Sequence, residues 1–562
     1  MNKIFKVLWS KTRACWVAVD ENRTSSASGK VRTRVVRASV GLTVLFSQTV
    51  LASAIQSGWD NTVVNQTGNK FDISSKHHIN GVGINKFNKF ELSQGHIANL
   101  QFGSSNKLIN FVNDHIKVDG TVNGVLNNKI GGDLFFVSPT GMTVGSTGVI
   151  NAGSLTTTIV AKDKFQNLWD NAANPDPNLT TQLQTGDGIP LNPKGVITVA
   201  GSINAGNNIA LLAGNITVKN TGRLTTGVDH FKDLVNIKDA TGKVTVSSDL
   251  AQEQLTFKKD EATGDILLLA RAEGALVDKP KNNIVDGKLV PVAVDATITV
   301  EKGAKVTAKK DVTIKAQAGN GAYKDGAFVA DKGKGMAVSA KVTLDGTIKA
   351  GGQLNAKAEA VNKIDHKTGF NLETFNEQFQ AAFSPFDKGT FEYVDMSTTA
   401  KVSVGKDADL EGQKGVKLES DALADLVIGD STGWKNYLNI GPLNYVPVVA
   451  AAVARSHANS AVEVAGSVKS GGDLTLRAKG TMKASVATTA IVQDTKAPQA
   501  SVVFADFAAS SKVTVKDTAT LGAVEGGKLG HVTIEADQNT WSAPCLQGLI
   551  KFFTAQAPRR SI

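Results

Sequence analysis

Histidine and cysteine are the side chains here that most readily bind a metal, so their spacing tests for a metal site. A zinc site needs a pattern such as His-Glu-x-x-His or closely spaced cysteine pairs. The eight histidines are scattered, and Cys15 and Cys545 stand near opposite ends. Only His77 and His78 are adjacent, and such a pair belongs more often to a turn than to a ligand set. We predict no metal site. The histidines are His77, His78, His96, His115, His230, His366, His457 and His531.

Motifs for catalysis and cofactor binding give equally little. The stretch GNGAYKDG, from Gly319, lacks the Gly-Lys-Ser or Gly-Lys-Thr ending of a phosphate loop and is interpreted as a turn. No cleft is indicated in which two carboxylates would work as acid and base. The sequence therefore predicts no catalytic residue, no cofactor and no enzyme.

Charge at first favours a nucleic-acid partner and then argues against one. The 562 residues carry a formal charge of +10. The first 54 residues hold nine lysines and arginines against two acidic residues, so removing them leaves +3. A body so nearly neutral gives no reason to expect binding to a polyanion.

The end of this basic segment has the order of a secretory signal. Basic KVRTRVVR (30–37) precedes the apolar run ASVGLTVLFSQTVLASA, which ends at Ala52-Ser53-Ala54. Charge, a short apolar core and a small-x-small end predict cleavage after Ala54. The run is shorter than the ~20 apolar residues that a membrane span needs. We expect an exported mature chain without a transmembrane segment.

The body repeats one pattern of short alternating segments. Each unit reads as a Val-x-Val strand, a Gly or Asp turn, a second short strand, a Gly-rich or Lys-rich turn and a third strand ending in Ala; the units start at Ala296, Ala340, Ala400, Ser460 and Ser511. Repeats of this kind predict an all-β fold, a right-handed parallel β-helix, with short helical excursions. Inward residues would be Val342, Leu344, Ile348 and Leu354, and outward ones Lys341, Thr343 and Lys349.

The first residues resemble a known export signal. MNKIFKVLWSKTRACWVAVDE is similar to the extended signal peptide region of very large exported proteins of Gram-negative bacteria, chiefly autotransporters and two-partner secretion exoproteins. In those proteins the region is thought to moderate export across the inner membrane. The resemblance implies that residues 1–54 are an extended signal peptide.

A second resemblance covers residues 71–155 and extends to about 260. Two stretches resemble the amino-terminal secretion domain of filamentous haemagglutinin exoproteins: NKFNKFELSQGHIANLQF and the later KIGGDLFFVSPTGMTVGSTGVINAGSLTTT. Within that family, the chain is most similar to leukotoxin-like filamentous adhesins. Ser138 and Thr140 stand where that family has asparagines that support secretion. The secretion-motif residues implied are Phe87, Phe90, Ser138, Pro139, Thr140, Gly141, Met142, Asn151 and Gly153.

This resemblance implies a domain plan and a partner. Residues 55–260 would be a capping secretion domain, read in unfolded form by an outer-membrane β-barrel transporter with periplasmic peptide-binding domains. Residues 261–540 would be a β-helical stalk, and the task adhesion to a host receptor or glycan, or toxicity. A contact-dependent growth inhibition exoprotein fragment and a β-helical polysaccharide-binding or polysaccharide-processing protein remain alternatives.

Three stretches interrupt the repeats. Phe375, Phe379 and Phe383 are spaced four apart and predict an amphipathic helix that Pro385 ends, packed on the stalk or contacting a host. Residues 434–458 combine Trp434, Tyr437 and Tyr445 with an Ala and Val run, which favours a packed loop or an adhesive patch. Residues 541–562 shift in composition and predict a tail that is either a short helical cap or the truncated end of a longer product.

Overall fold

The computed structural model divides into two compact units, Met1–Thr49 and Val50–Ile562. In the first unit, Phe5–Ser10 and Cys15–Asp20 form an antiparallel hairpin with Trp9 opposite Trp16. The residues that the structure describes are 5–10, 15–20, 53–228, 237–238, 244–245, 264–277, 284–285, 288–289, 292–330, 336–366, 389–428, 448–489 and 499–547.

The second unit is a parallel β-helix, as the repeats predict. Each coil contributes one strand to each of three faces, and every strand pairs in parallel with its equivalent in the next coil. The first face consists of Val82–Leu92, Ile116–Val118, Gly141–Val144, Val196–Val199, Asn215–Val218, Val292–Val300, Met336–Leu344, Gly389–Val404, Val448–Val464 and Gln499–Val515. The second consists of Ile97–Gln101, Thr121–Leu126, Val149–Ala152, Ser202–Ala205, Arg223–Thr225, Lys305–Ala308, Thr347–Ala350, Asp409–Gly412, Ser467–Ser470 and Thr520–Ala523. The third consists of Lys107–Val112, Asp133–Ser138, Ser154–Ile159, Ile209–Ala213, Ile266–Glu273, Val312–Gly319, Gln353–His366, Gly415–Ile428, Asp473–Thr489 and Val532–Gln547.

The amino-terminal end of the β-helix is closed by antiparallel pairing. Ala54–Ser57 and His78–Ile79 both run antiparallel to Val82–Leu92, while Thr62–Thr67 forms a hairpin with Lys70–Ser75. Lys70–Ser75 then pairs in parallel with the first strand of the second face. These strands cover an edge that would otherwise offer unpaired backbone groups to another chain.

The core is a column of aliphatic side chains that stack in register from coil to coil. Val342, Leu344, Ile348 and Leu354 are all buried, as predicted. Val342 stacks on Ile298 below and Val402 above in the first face. Because the inward residues of one coil pack only on those of its neighbours, each coil depends on the coil before it.

Strand length is where the structure departs from the sequence prediction of short strands. First-face strands grow from the four residues of Gly141–Val144 to the 17 of Val448–Val464, and Asp473–Thr489 on the third face also has 17. The extra residues run past the three-sided core as two facing sheets, which we call the arm. Buried alanines such as Ala424 and Ala458 lie between them. The alanines that end the repeat units thus belong to strands that continue.

Several lysines on the outer faces form ion pairs between coils. Lys349 and Glu411, which are register partners in neighbouring coils, lie 3.0 Å apart. Lys357 and Asp421 at 2.7 Å, and Lys401 and Glu463 at 2.9 Å, also join neighbouring coils, each pair two residues out of register. The hydrogen bond from Lys401 is the main reason that the pKa of Glu463 is lowered. These rows compensate charge along the stalk.

Two helices leave the β-helix between Ile159 and Val196, where the sequence pattern predicts none. Helix α1 is Lys162–Asp170 and helix α2 is Leu179–Thr185. They cover the outside of the third face, where buried Phe165 packs with Phe111. The helix expected around Phe375–Phe383 lies outside the described residues. A 3-10 turn is Gly274–Leu276, and short strands are Lys129–Ile130, Ile237–Lys238, Val244–Thr245, Ile284–Val285, Lys288–Leu289, Tyr323–Lys324 and Ala327–Phe328.

The arm gives the first testable prediction. Ala424→Leu adds volume between two sheets that are spaced by small side chains, so we expect the free energy of unfolding to fall by about 1–3 kcal/mol. The matched control Ala461→Leu, at a half-buried outward position, should stay within about 0.5 kcal/mol. Urea unfolding of the mature chain measures both, and equal effects would show that the two sheets are not closely packed.

Candidate secretion site

The turn from Ser138 to Met142 joins the third face of one coil to the first face of the next, and the Ser138 side chain organises it. Ser138 is fully buried. Its Oγ donates a hydrogen bond to the Asp114 carbonyl at 3.0 Å and accepts from the backbone N–H groups of Thr140 at 3.1 Å and Gly141 at 3.4 Å. Since buried N–H groups need partners, one hydroxyl fixes this corner of the coil.

The other residues of this turn connect it to the coils on both sides. The Pro139 carbonyl accepts a hydrogen bond from Asn192 Nδ2 at 2.7 Å. Met142 is fully buried, and Thr157 Oγ1 donates to its sulfur at 3.4 Å. A Cβ on Gly141 would lie 2.5 Å from the Val196 carbonyl oxygen, so a side chain there would push the neighbouring coil away. The turn therefore requires an assembled coil on each side.

Phe87 and Phe90 begin the aromatic part of the core. Both are fully buried, with ring centroids 5.3 Å apart in an edge-to-face arrangement. Phe90 also meets Phe136 at 5.4 Å, just ahead of the Ser138 turn. Such ring pairs stabilise a core beyond the area they bury. The structure therefore joins the two phenylalanines to the turn through Phe136.

The predicted cleavage site lies at the start of the cap. Ala52 is outside the described residues, and Ala54 begins the strand Ala54–Ser57. Ile55, the first residue expected after cleavage, pairs with Phe90 across the antiparallel ladder. Cleavage at the predicted position would thus leave Ile55–Ser57 to pair over the aromatic cluster.

Asn151 belongs to a different network, a ladder of amides along the second face. Its Nδ2 donates to Asn123 Oδ1 at 3.0 Å, and Asn204 Nδ2 donates to Asn151 Oδ1 at 3.0 Å. Below them Asn123 donates to Asn99 at 3.1 Å, and Asn99 donates to Asp72 at 3.0 Å. The signal was visible as an asparagine at the same place in IAN, TVN, VIN and SIN. Asn99, Asn123 and Asn151 each donate and accept, which holds the coils in register.

Gly153 lies at the corner after this ladder, away from the Ser138 turn. A Cβ there would come 2.6 Å from the backbone N and O of Gly132 in the coil below. The corner therefore needs glycine for close approach of two backbones. Seven of the nine motif residues are thus buried, whereas Gly153 is half-buried and Thr140 is exposed.

A buried arginine fastens the helical excursion to later coils. The guanidinium of Arg271 donates to the Gly186 carbonyl at the end of α2 and lies 4.1 Å from the ring centre of Tyr323. The backbone N–H of Tyr323 donates to the Glu273 carboxylate at 2.8 Å. Burial raises the pKa of Glu273 and lowers the pKa of Arg271. No sequence pattern marked this contact.

The aromatic surface where α1 meets the amino-terminal cap was also missed. Lys86 Nζ lies 4.8 Å from the ring centre of Trp59 and 5.2 Å from that of Trp169. The His77 ring lies 5.2 Å from Trp59, and His77 Nε2 is 2.9 Å from the Ala173 carbonyl. These contacts place His77 in the packing of α1 on the cap.

Comparison with known proteins identifies the families that the chain resembles. Residues 1–51 match the family described as the extended signal peptide of the type V secretion system. Residues 52–289 match the TPS, or two-partner secretion, domain family.

The chain is a two-partner secretion exoprotein. Among solved structures, the secretion domain of HMW1 from Haemophilus influenzae is similar at 12% identity over 86% of this chain and 99% of that chain, with a TM-score of 0.26, too low to carry an argument. No curated protein matches the chain.

As an exoprotein of this class, the chain is exported through the periplasm and is secreted or exposed at the surface, and its partner is an outer-membrane transporter. The matched secretion domain ends at 289, beyond the predicted boundary at 260. The matched domain therefore includes the strand Ile266–Glu273, on which Arg271 contacts the end of α2. Within the described part of the chain, no helix is long and apolar enough to cross a membrane.

The Ser138 turn gives the second prediction. Ser138→Ala leaves two backbone N–H groups and the Asp114 carbonyl without a partner, so we expect the free energy of unfolding to fall by about 1–3 kcal/mol. Thr147→Ala, the control, removes one exposed hydrogen bond to the Asp119 carbonyl and should cost about 0.5 kcal/mol. Denaturant unfolding of the mature chain compares them. An unchanged stability for Ser138→Ala would mean that the hydroxyl does not hold the turn.

Proposed function

We propose that this exoprotein is an adhesin whose secretion domain is read by its transporter, an outer-membrane β-barrel with periplasmic peptide-binding domains, before that domain folds. The observation that carries the first step is burial. Phe87, Phe90, Ser138 and Met142 are each 0% exposed. A folded domain would not offer these side chains to a partner, whereas an extended chain in the periplasm would offer all of them.

The order of the coils supports this sequence of events. The antiparallel cap and the first coil come first in the chain, and each later coil buries its inward residues on the one before. Folding outside the cell would then proceed from the amino terminus one coil at a time. Each coil that stacks would make return through the transporter less favourable, so no nucleotide hydrolysis would be required.

The outer surface of the stalk is largely charge-compensated, as expected of a segment that only separates its two ends. Several of its outward lysines pair with carboxylates of a neighbouring coil, as in Lys357–Asp421 and Lys469–Asp409. Charges compensated in this way give a polyanion little to bind. We therefore propose no nucleic-acid partner and no enzymatic role.

Among the described residues, no three His, Cys, Asp or Glu side chains are grouped as metal ligands would be. A Gly-Asp-Ser-Thr-Gly stretch at 429–433 has the spacing of a nucleophile elbow and lies outside the described residues.

One edge of the stalk is the proposed location of the adhesive contact. The chain leaves the third face at His366, Ile428 and Thr489, and returns to the first face at Gly389, Val448 and Gln499. These departures all occur at the tip of the arm, on the edge between the two faces. The aromatic stretches around Phe375–Phe383 and Trp434–Tyr445 fall between these anchors, outside the described residues. A receptor or glycan of the host surface is the ligand we propose.

Adhesion can be tested with the chain secreted from a heterologous Gram-negative host that carries the partner transporter. We expect transporter-dependent binding of the mature protein to epithelial cells. Replacing 371–388 with a Gly/Ser linker of equal length should reduce binding several-fold. The same replacement of 246–260, in the sequence between the strands Arg223–Thr225 and Ile266–Glu273, should not reduce binding when equal amounts of secreted protein are compared.

Two outcomes would contradict the proposal. Equal binding by both linker variants would show that this edge of the stalk is not the adhesive contact. Lysis of leukocytes without adhesion, measured as release of a cytosolic enzyme, would favour a leukotoxin-like function instead.

A further inference from the structure

The final coil of the described chain exposes side chains that every earlier coil buries. Val532 and Ile534 are 46% and 53% exposed, whereas their register partners one coil earlier, Leu474 and Leu476, are 0% exposed. Val515 is 41% exposed in the same coil, and Phe504 and Trp541 reach 57% and 60%. Most of the large exposed hydrophobic side chains in the described part of the chain therefore lie on one coil.

The backbone edge of this coil is also unpaired. Within the described residues, Gln499–Val515, Thr520–Ala523 and Val532–Gln547 each pair with the preceding coil alone. The opposite end of the β-helix differs, because antiparallel strands close it. An open edge with apolar inward positions is a template for further strands.

We propose that this edge is a self-association surface and that its occupant is the same edge of a second copy of the chain. In this arrangement two β-helices meet end to end about a two-fold axis that passes through Thr520–Ala523. The axis brings the two copies of that strand together in antiparallel pairing. It also places Gln499–Val515 of each copy against Val532–Gln547 of the other.

The lengths and side chains of the two long strands fit this pairing. The strands have 17 and 16 residues. Val515 is the last residue of one strand and Val532 is the first residue of the other. When Val515 is placed opposite Val532 of the second copy, Val513 lies opposite its Ile534. All four of these inward positions are apolar. The same register puts Lys512 opposite Glu535 of the second copy on the outward side. Directly opposed residues of antiparallel strands interact most strongly, and opposite charges there are favourable.

Other occupants fit less well. A head-to-tail filament would need an open amino-terminal end, and that end is capped. A two-fold contact between equal edges covers both and closes after two copies.

The test is the molar mass of the mature chain in solution, measured by light scattering across a dilution series. We expect a dimer. Lys512→Glu or Glu535→Lys alone places like charges opposite each other twice in each dimer, and should raise the dissociation constant about tenfold. The double variant K512E/E535K should restore it. The control Lys401→Glu breaks an ion pair inside one chain and should leave dimerisation unchanged.

A cross-link fixes the register. With Cys545 replaced by serine, Val515→Cys combined with Val532→Cys should give a covalent dimer on oxidation, whereas either cysteine alone should not. A chain that is monomeric at all concentrations would overturn the proposal. So would a dimer that the single charge changes leave intact, or one that forms only after residues 548–562 are removed.

Discussion

The interaction on which this molecule depends is the parallel pairing of each coil with the coil before it. A strand of four to six residues has little stability alone. In this chain it gains a backbone ladder and an aliphatic column only when the preceding coil already exists. The same constraint explains the antiparallel cap at the start, because the first coil has no predecessor. It also explains why the inward residues of the last described coil are exposed.

This dependence makes burial of the secretion motif informative. The Ser138 turn needs the carbonyl of Asp114 from the coil below and the side chain of Asn192 from the coil above. Asn151 likewise needs an amide on each side. These networks arise from folding of the domain and are absent from the extended chain. A partner that reads the extended chain and a fold that buries the same residues are therefore compatible when they act in succession.

The sequence predicted the repeating coil well, but it did not predict the arm, the two helices or the contact of Arg271. Alternating Val and Ile residues between Gly turns identify short stacked strands, since inward positions such as Val342 and Ile348 stand out by hydropathy. The arm was missed because alanines such as Ala424 mark an inward position weakly. Helix α1 carries Phe165, Leu168 and Trp169 at helical spacing, a signal present but short. The contact between Arg271 and Gly186 joins residues distant in sequence, so no local pattern predicts it.

The order of recognition and folding is the central claim, and a disulfide across two coils of the secretion domain tests it most directly. Thr198 and Thr217 are register partners on the first face, at the spacing that a disulfide spans. In a Cys545→Ser background, Thr198→Cys with Thr217→Cys should be retained in an oxidising periplasm and secreted once reductant is added, with either single cysteine variant secreted normally. Secretion of the oxidised double variant at the normal level would contradict the account, because a domain locked in its folded pairing would then have passed the transporter.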